Sequence, residues 1–166
     1  MSVVSTGGDL FRRQRIVVGI DGSNAGRHAL GWAFAEAMQR GAELDVVTAW
    51  NFPRQWAQNF SSRWADDADS FAIAAADEAT AEVDEVLNGR PRPIWLHIRA
   101  VEGAAAPVLL RLARHADLLV VGSRGCGRFR DVSLGSVSTA CVHHTPCPIA
   151  VIPDSTTAEV AATALS

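Results

Sequence analysis

The sequence predicts an α/β domain, an open five-stranded parallel sheet with helices on both faces. Two observations carry that reading. Short runs rich in Val, Ile and Leu alternate with longer segments of helical periodicity, in the order β-α-β-α-β-α-β-α-β. The strand runs are apolar nearly throughout, as strands covered on both faces by helices must be. A length of 166 residues suits one domain with a real core.

Arg15 to Asp21 (RIVVGID) is a short apolar run that enters an Asp-Gly-Ser turn, hence a buried first strand. Ser23 or Asn24 can cap the helix that follows. Ala25, Ala29, Trp32, Ala33 and Ala37 recur at helical spacing, and Gly41 is placed to stop the helix. Leu44 to Trp50 is the second strand. Asn51 to Trp64 is a long connection carrying Phe52, Trp56, Phe60 and Trp64, read as a partly ordered loop that covers the site or a partner surface. Asp66 to Leu87 is an amphipathic helix with Phe71, Ile73, Val83 and Val86 among its carboxylates, ending at Asn88-Gly89. Its acids, Asp66, Asp67, Asp69, Asp77, Glu78, Glu82, Asp84 and Glu85, read as a solvated face, since no His or Cys falls among them to suggest a metal. Pro93 to Val101 alternates like a strand, Ala104 to His115 is a helix, and Asp117 to Gly122 is a short buried strand. Leu134 to His143 is the last helix and Cys147 to Pro153 the last strand. The expected organisation is an N-terminal arm over 1–14, a single domain over 15–153 and a small-residue tail over 154–166.

Composition narrows the function. Hydrophobic residues make up 48 % and charged residues 20 %, close to globular averages, which argues against wholesale disorder. The net charge of −3 argues against a nucleic-acid partner, which calls for a basic face. Every Lys/Arg-type cation is Arg, so a Walker-type phosphate-binding lysine is excluded. Met1 to Arg15 lacks an apolar core of signal-peptide length, and no later segment is long and apolar enough to span a bilayer. Cys126, Cys141 and Cys147, odd in number, are expected to be free thiols in a reducing cytoplasm.

In doubly wound sheets ligands bind beyond the carboxyl ends of the strands, where strand order reverses. The turn after the fourth strand reads G-x2-G-x9-G-S, with Gly122, Gly125, Gly135 and Ser136 in the fixed places. Gly122 ends a strand, where a bare backbone lets a ligand approach. Gly125 and Gly127 permit left-handed backbone angles, so successive amides can converge on an anion. Gly135, Ser136 and Ser138 open a helix whose unpaired N–H groups and positive dipole end favour phosphate, with two hydroxyls to add. Arg124, Arg128 and Arg130 are the basic groups of the loop.

Over Arg15 to Pro153 the chain resembles the universal stress protein family. The G-x2-G-x9-G-[ST] motif of its ATP-binding subgroup is matched in full, and Val18 to Ser23 and Val101 to Gly103 also look like the family's. The resemblance implies an adenine-nucleotide α-hydrolase-like sheet of order 3-2-1-4-5, dimeric through the last strand (148–152), with roles in stress adaptation and signalling. It implies ATP as ligand, with Mg²⁺ expected from the charge of the triphosphate. Gly19, Ile20 and Asp21 would lie near adenine and ribose, and Ala49 would offer backbone groups to the adenine edge. Gly122, Ser123, Arg124, Gly125, Gly127, Arg128, Gly135, Ser136, Val137 and Ser138 would hold ribose and phosphates. The chain departs from many relatives in the aromatic connection after Trp50 and in Cys126 within the loop, the second carrying a redox-sensitive option.

A hydrolase built on Ser136 with His143 or His144 lacks the nucleophile elbow and a placed acid. Zinc at Cys141, His143, His144 and Cys147 fits no common ligand spacing. His115 ends a helix, where a cation is favoured. No base is placed to activate water, so any ATP hydrolysis is expected to be slow. The reading that remains is an ATP-binding regulatory module that orders a loop for an unknown protein partner. A dimeric scaffold with a vestigial pocket and a slow ATPase are the alternatives.

Overall fold

The computed structural model describes residues 12–51, 64–125 and 134–154, with side chains in the long second helix described from residue 69. The elements are β1 (Arg15–Ile20), α1 (Asn24–Arg40), β2 (Glu43–Trp50), α2 (Trp64–Leu87), β3 (Leu96–Glu102), α3 (Ala105–Ala113), β4 (Leu118–Gly122), α4 (Ser136–His144) and β5 (Ile149–Ile152). All strand pairs are parallel and the order is β3-β2-β1-β4-β5, as the family resemblance implied.

Alternation along the strands sorts the core into two layers. Ile16, Val18, Ile20, Leu44, Val46 and Val120 face α1 and α2. Val17, Val47, Leu119 and Val121 face α3 and α4. The chain runs from β1 outward through β2 to β3, then returns to β4 beside β1. The order therefore reverses between β1 and β4, and the two strand ends part there to open a crevice.

Helix α1 begins where Ser23 accepts the Gly26 N–H at 3.0 Å and stops at Gly41, whose φ of 63° is left-handed. Small residues, Ala25, Ala29, Ala33 and Ala37, let it lie close on the sheet. Trp32, placed on the same stripe from spacing, is 39 % exposed, and Leu30 fills the core in its stead. Helix α2 starts two residues earlier than expected, so Trp64 belongs to it. At about 36 Å it outreaches the roughly 26 Å of an eight-residue strand. Its second half buries Ala79, Val83 and Leu87, while Phe71 and Ile73, assigned to the apolar face, stand exposed. Strand β3 begins at Leu96, after Pro91 and Pro93, because proline has no amide for the ladder. The aromatic connection falls, from Phe52 on, outside the described residues.

Two polar groups tie the lower sheet. Buried Asp45 on β2 pairs with Arg15 Nε at 3.2 Å and Arg99 Nε at 3.1 Å, stitching β1 and β3 to it. Asp117 accepts from the Arg15 N–H and from Arg12, each at 2.8 Å, so the chain is held from Arg12 onward, within what was expected to be the arm.

Gly122 is required by packing. A Cβ there would stand 2.7 Å from the Ala25 backbone carbon of α1. Gly122→Ala must push helix and strand apart and is expected to cost about 2 kcal/mol, read as a lower urea midpoint at unchanged m.

Candidate functional site

Beyond β1 the chain turns sharply at Asp21-Gly22-Ser23, with Gly22 at a φ of 76° that favours glycine. Asp21 Oδ1 accepts from the Ser23 N–H at 3.1 Å and from the Ser23 hydroxyl at 2.5 Å. The Ser23 hydroxyl oxygen also lies 3.4 Å from the Arg124 carbonyl oxygen. The β1 turn thus abuts the loop after β4.

That loop is closed at its base. The Ser123 N–H donates to the Ile152 carbonyl at 2.7 Å, and the Gly135 N–H donates to the Ser123 carbonyl at 2.8 Å. Helix α4 then starts without a side-chain cap. Its first intrahelical bond runs from the Thr139 N–H to the Gly135 carbonyl at 2.9 Å. The amides of Ser136, Val137 and Ser138 therefore have no acceptor within the helix.

A cavity of about 850 Å³ opens over these groups. Gly19, Ile20, Asp21, Ala49, Gly122, Arg124, Gly125, Gly135, Ser136, Val137 and Ser138, all anticipated from sequence, line it. Ser123 does not; it is buried behind the wall, where its backbone closes the loop. Gly127 and Arg128, with Cys126 and Arg130, lie outside the described residues. Asp21 is the one carboxylate and Arg124 the one guanidinium among the described lining residues.

Three anticipated roles change. Gly125 does not have positive φ; a Cβ there would meet the Asp21 carboxylate, which would have to shift to admit it. Gly122 serves the approach of α1 in addition to baring the backbone. Ser138 donates its hydroxyl proton to the Gly122 carbonyl at 2.6 Å, so it secures α4 to β4, and Ser136 is left as the exposed hydroxyl of the pair.

The sequence reading missed the apolar wall. Val47, Val121, Ala105 and Leu109 line the cavity, and the i, i+4 spacing of the last two was the available signal. It also missed Gly26, where a Cβ would stand 3.0 Å from Asp21 Oδ1. His143 and His144, considered for other chemistry, line the cavity as well. No group of metal-ligating side chains occurs among the described residues. Burial pushes the Cys141 thiol up, which keeps it inert.

Glu82 departs from the solvated face assigned to it. It is 7 % exposed, and its Oε1 is buried without a hydrogen-bond partner among the described residues. Burial raises its carboxyl above the ordinary 4.5, against the pull of Arg27 and the Gly22 amide, with Asp21 and Glu85 adding to the rise.

The universal stress protein family's sequence profile matches residues 12–153. This chain belongs to that family. Universal stress protein Rv2623 of Mycobacterium tuberculosis (strain ATCC 25618 / H37Rv) is 33 % identical over 152 residues, covering 84 % of this chain and 47 % of the relative. The chain thus spans about half the length of the curated relatives it matches. Among solved structures, UspA from Lactobacillus plantarum is 23 % identical with a TM-score of 0.66, covering 85 % of this chain and 98 % of that one. A universal stress protein in complex with cAMP is 28 % identical with a TM-score of 0.53, covering 84 % and 95 %. No helix among the described residues is long and apolar enough to cross a membrane.

The raised Glu82 carboxyl has a stability signature. Its folded value lies above its unfolded value, so its contribution is full below pH 4.5 and is lost as pH rises through the folded value. Glu82→Gln mimics the protonated acid. Its melting temperature is expected to match wild type below pH 4.5 and to exceed it by a growing margin toward neutrality, measured by calorimetry across that range.

Proposed function

We propose that this universal stress protein binds an adenine nucleotide, ATP with Mg²⁺ foremost, in the cavity at the carboxyl ends of β1 and β4. The carrying observation is the start of α4, where three amides without helical acceptors and the positive end of the helix meet a cavity wall. Arg124 adds a fixed cation beside them. Val47, Ala49 and Leu109 offer an apolar wall suited to a purine ring, and Ala49 ends near the rim of β2 with backbone groups for its edge. Asp21 is placed to accept from ribose or to hold a magnesium ion through one carboxylate, with phosphate oxygens and water completing its shell. The solved relative in complex with cAMP supports adenine as the base.

The residues described favour binding over turnover. The one lining carboxylate among them is already engaged by Ser23 through two hydrogen bonds, which suits orientation better than proton abstraction. We read the output as conformational, with the segment between Gly125 and Leu134 responding to the phosphates and presenting a surface to a protein partner in the cytoplasm. Strand β5, four residues long at the sheet edge, is the proposed seam with a second copy.

Gly135 tests the cradle. A Cβ there would meet Arg124 Cα at 3.4 Å and the Gly125 nitrogen at 3.5 Å, ordinary contacts that Ala satisfies. By titration calorimetry Gly135→Ala is expected to bind ATP within a few-fold of wild type. Gly135→Glu, which sets a carboxylate among the amides, is expected to lose roughly 100-fold or more with an unchanged circular dichroism spectrum. Equal affinity in wild type and Gly135→Glu would overturn the assignment.

A further inference from the structure

A second cavity, of about 520 Å³, opens at the amino ends of β2 and β3, the opposite end of the sheet from the nucleotide site. One wall is the end of α1. Phe34, Ala37, Met38 and the Gly41 that stops the helix recur at i, i+3, i+4 and i+7, and so share a face. The other wall is the chain that leads into β3, from Arg90 to Trp95. The two walls meet at the base of β2, where the Leu44 N–H donates to the Trp95 carbonyl at 2.9 Å. Phe34 and Trp95 pack on the edge of the core, with ring centroids 5.3 Å apart and planes tilted by 32°. Both rings are only half-buried, so their outer faces floor the groove.

The lining suits an apolar body that carries one anionic group. Met38 is 57 % exposed, and its unbranched thioether adapts to the outline of a ligand. Pro91 and Pro93 have fixed φ and no amide, so the facing rim is stiff and supplies no backbone donor at either position. The Ala37 and Met38 carbonyls are taken by the Ala42 and Gly41 amides, at 2.9 and 3.4 Å. Among the described residues no carboxylate lines the groove, and Arg90 is its one charged group. The arginines beside it are occupied. Arg92 holds Asp84 through two bonds of 2.8 and 2.7 Å, and Arg40 pairs with Glu36. Arg90 is exposed and forms no ion pair among the described residues.

We propose that this groove binds a small aromatic carboxylate, its ring lying on Phe34 and Trp95 and its carboxylate held by the Arg90 guanidinium. Offset or edge-on contact with two aromatic rings favours a flat ring over an aliphatic chain. The planar fork of arginine matches a carboxylate with two parallel hydrogen bonds. A cavity of this volume falls within the range of small-molecule sites, where a few polar groups fix orientation on an apolar surface. Because Arg90 is exposed, its contribution to affinity is modest. It sets the preference for an acid over a neutral analogue, while the rings supply most of the binding. The site shares no residue with the nucleotide cavity and does not rest on the nucleotide reading.

The test titrates the full chain with 2-naphthoate and with its neutral analogue 2-naphthalenemethanol, read by the Met38 methyl and Trp95 indole N–H resonances. Naphthoate is expected to shift both with a dissociation constant below about 1 mM, and the alcohol to bind about fivefold more weakly. Arg90→Gln is expected to weaken naphthoate about fivefold and to leave the alcohol unchanged. Arg111→Gln, which makes the same change in net charge on α3, is expected to bind naphthoate within about twofold of wild type. The proposal is overturned if neither resonance moves up to about 5 mM naphthoate. It is overturned equally if acid and alcohol bind alike, if Arg90→Gln binds naphthoate as wild type does, if Arg111→Gln loses as much, or if the shifts fall only at Val47 and Leu109 of the nucleotide cavity. Met38 and Trp95 resonances that move with protein concentration alone would put a second copy on the groove. Nuclear Overhauser contacts from Met38 to residues 1–11 would put the chain's own N-terminal segment there. Either result also overturns the proposal.

Discussion

The contact between the Asp21 carboxylate and the bare backbone of Gly125 is the constraint on which the upper rim of this domain depends. It joins the turn after the central strand to the loop after the neighbouring strand across the one place where the sheet order reverses. A Cβ at Gly125 would displace the carboxylate, and Gly26 on α1 and Gly122 on β4 likewise leave little room for a Cβ. Close approach of β1, α1 and β4 is thus obtained by deleting Cβ atoms, a geometric economy typical of sites where a ligand must reach backbone amides.

Above that contact the structure leaves polar groups unspent. The first three amides of α4 have no acceptor in the helix, and the Gly135 amide is used to close the loop. Below it, polar groups are committed. Ser138 is tied to Gly122, Ser123 to both β5 and Gly135, and Asp45 to two arginines on adjacent strands. The division is what a rigid frame with a receptive rim requires, since unpaired donors are tolerated where solvent or a ligand can satisfy them. Glu82 is an exception on the far layer, a buried acid of α2 whose Oε1 has no hydrogen-bond partner among the described residues.

Helix α2 also shows the limit of amphipathic patterning. Its apolar residues were read as one face, but the helix is longer than the strands beneath it, so Phe71 and Ile73 find no sheet to cover them. Trp32 on α1 fails for a related reason. Alanines bring that helix so close that the layer between helix and sheet has room for Leu30 and not for an indole.

The chain's own order of residues settled the architecture and the address of the site. Apolar runs alternating with periodic segments dictate a parallel sheet, and the spacing of Gly122, Gly125, Gly135 and Ser136 marks a loop between strand and helix, because both are local patterns written in consecutive residues. What each of those residues is for was decided only by packing. Gly125 faces the Asp21 carboxylate, over a hundred positions away, and Gly122 is glycine because of the Ala25 backbone. Glu82 is indistinguishable in the chain from its solvated neighbours until α2 is laid against the β1 turn. The apolar wall at Val47 and Leu109 likewise exists only once β2 and α3 meet across the sheet. Such roles depend on distances between residues remote in the chain, and no local pattern encodes a distance of that kind.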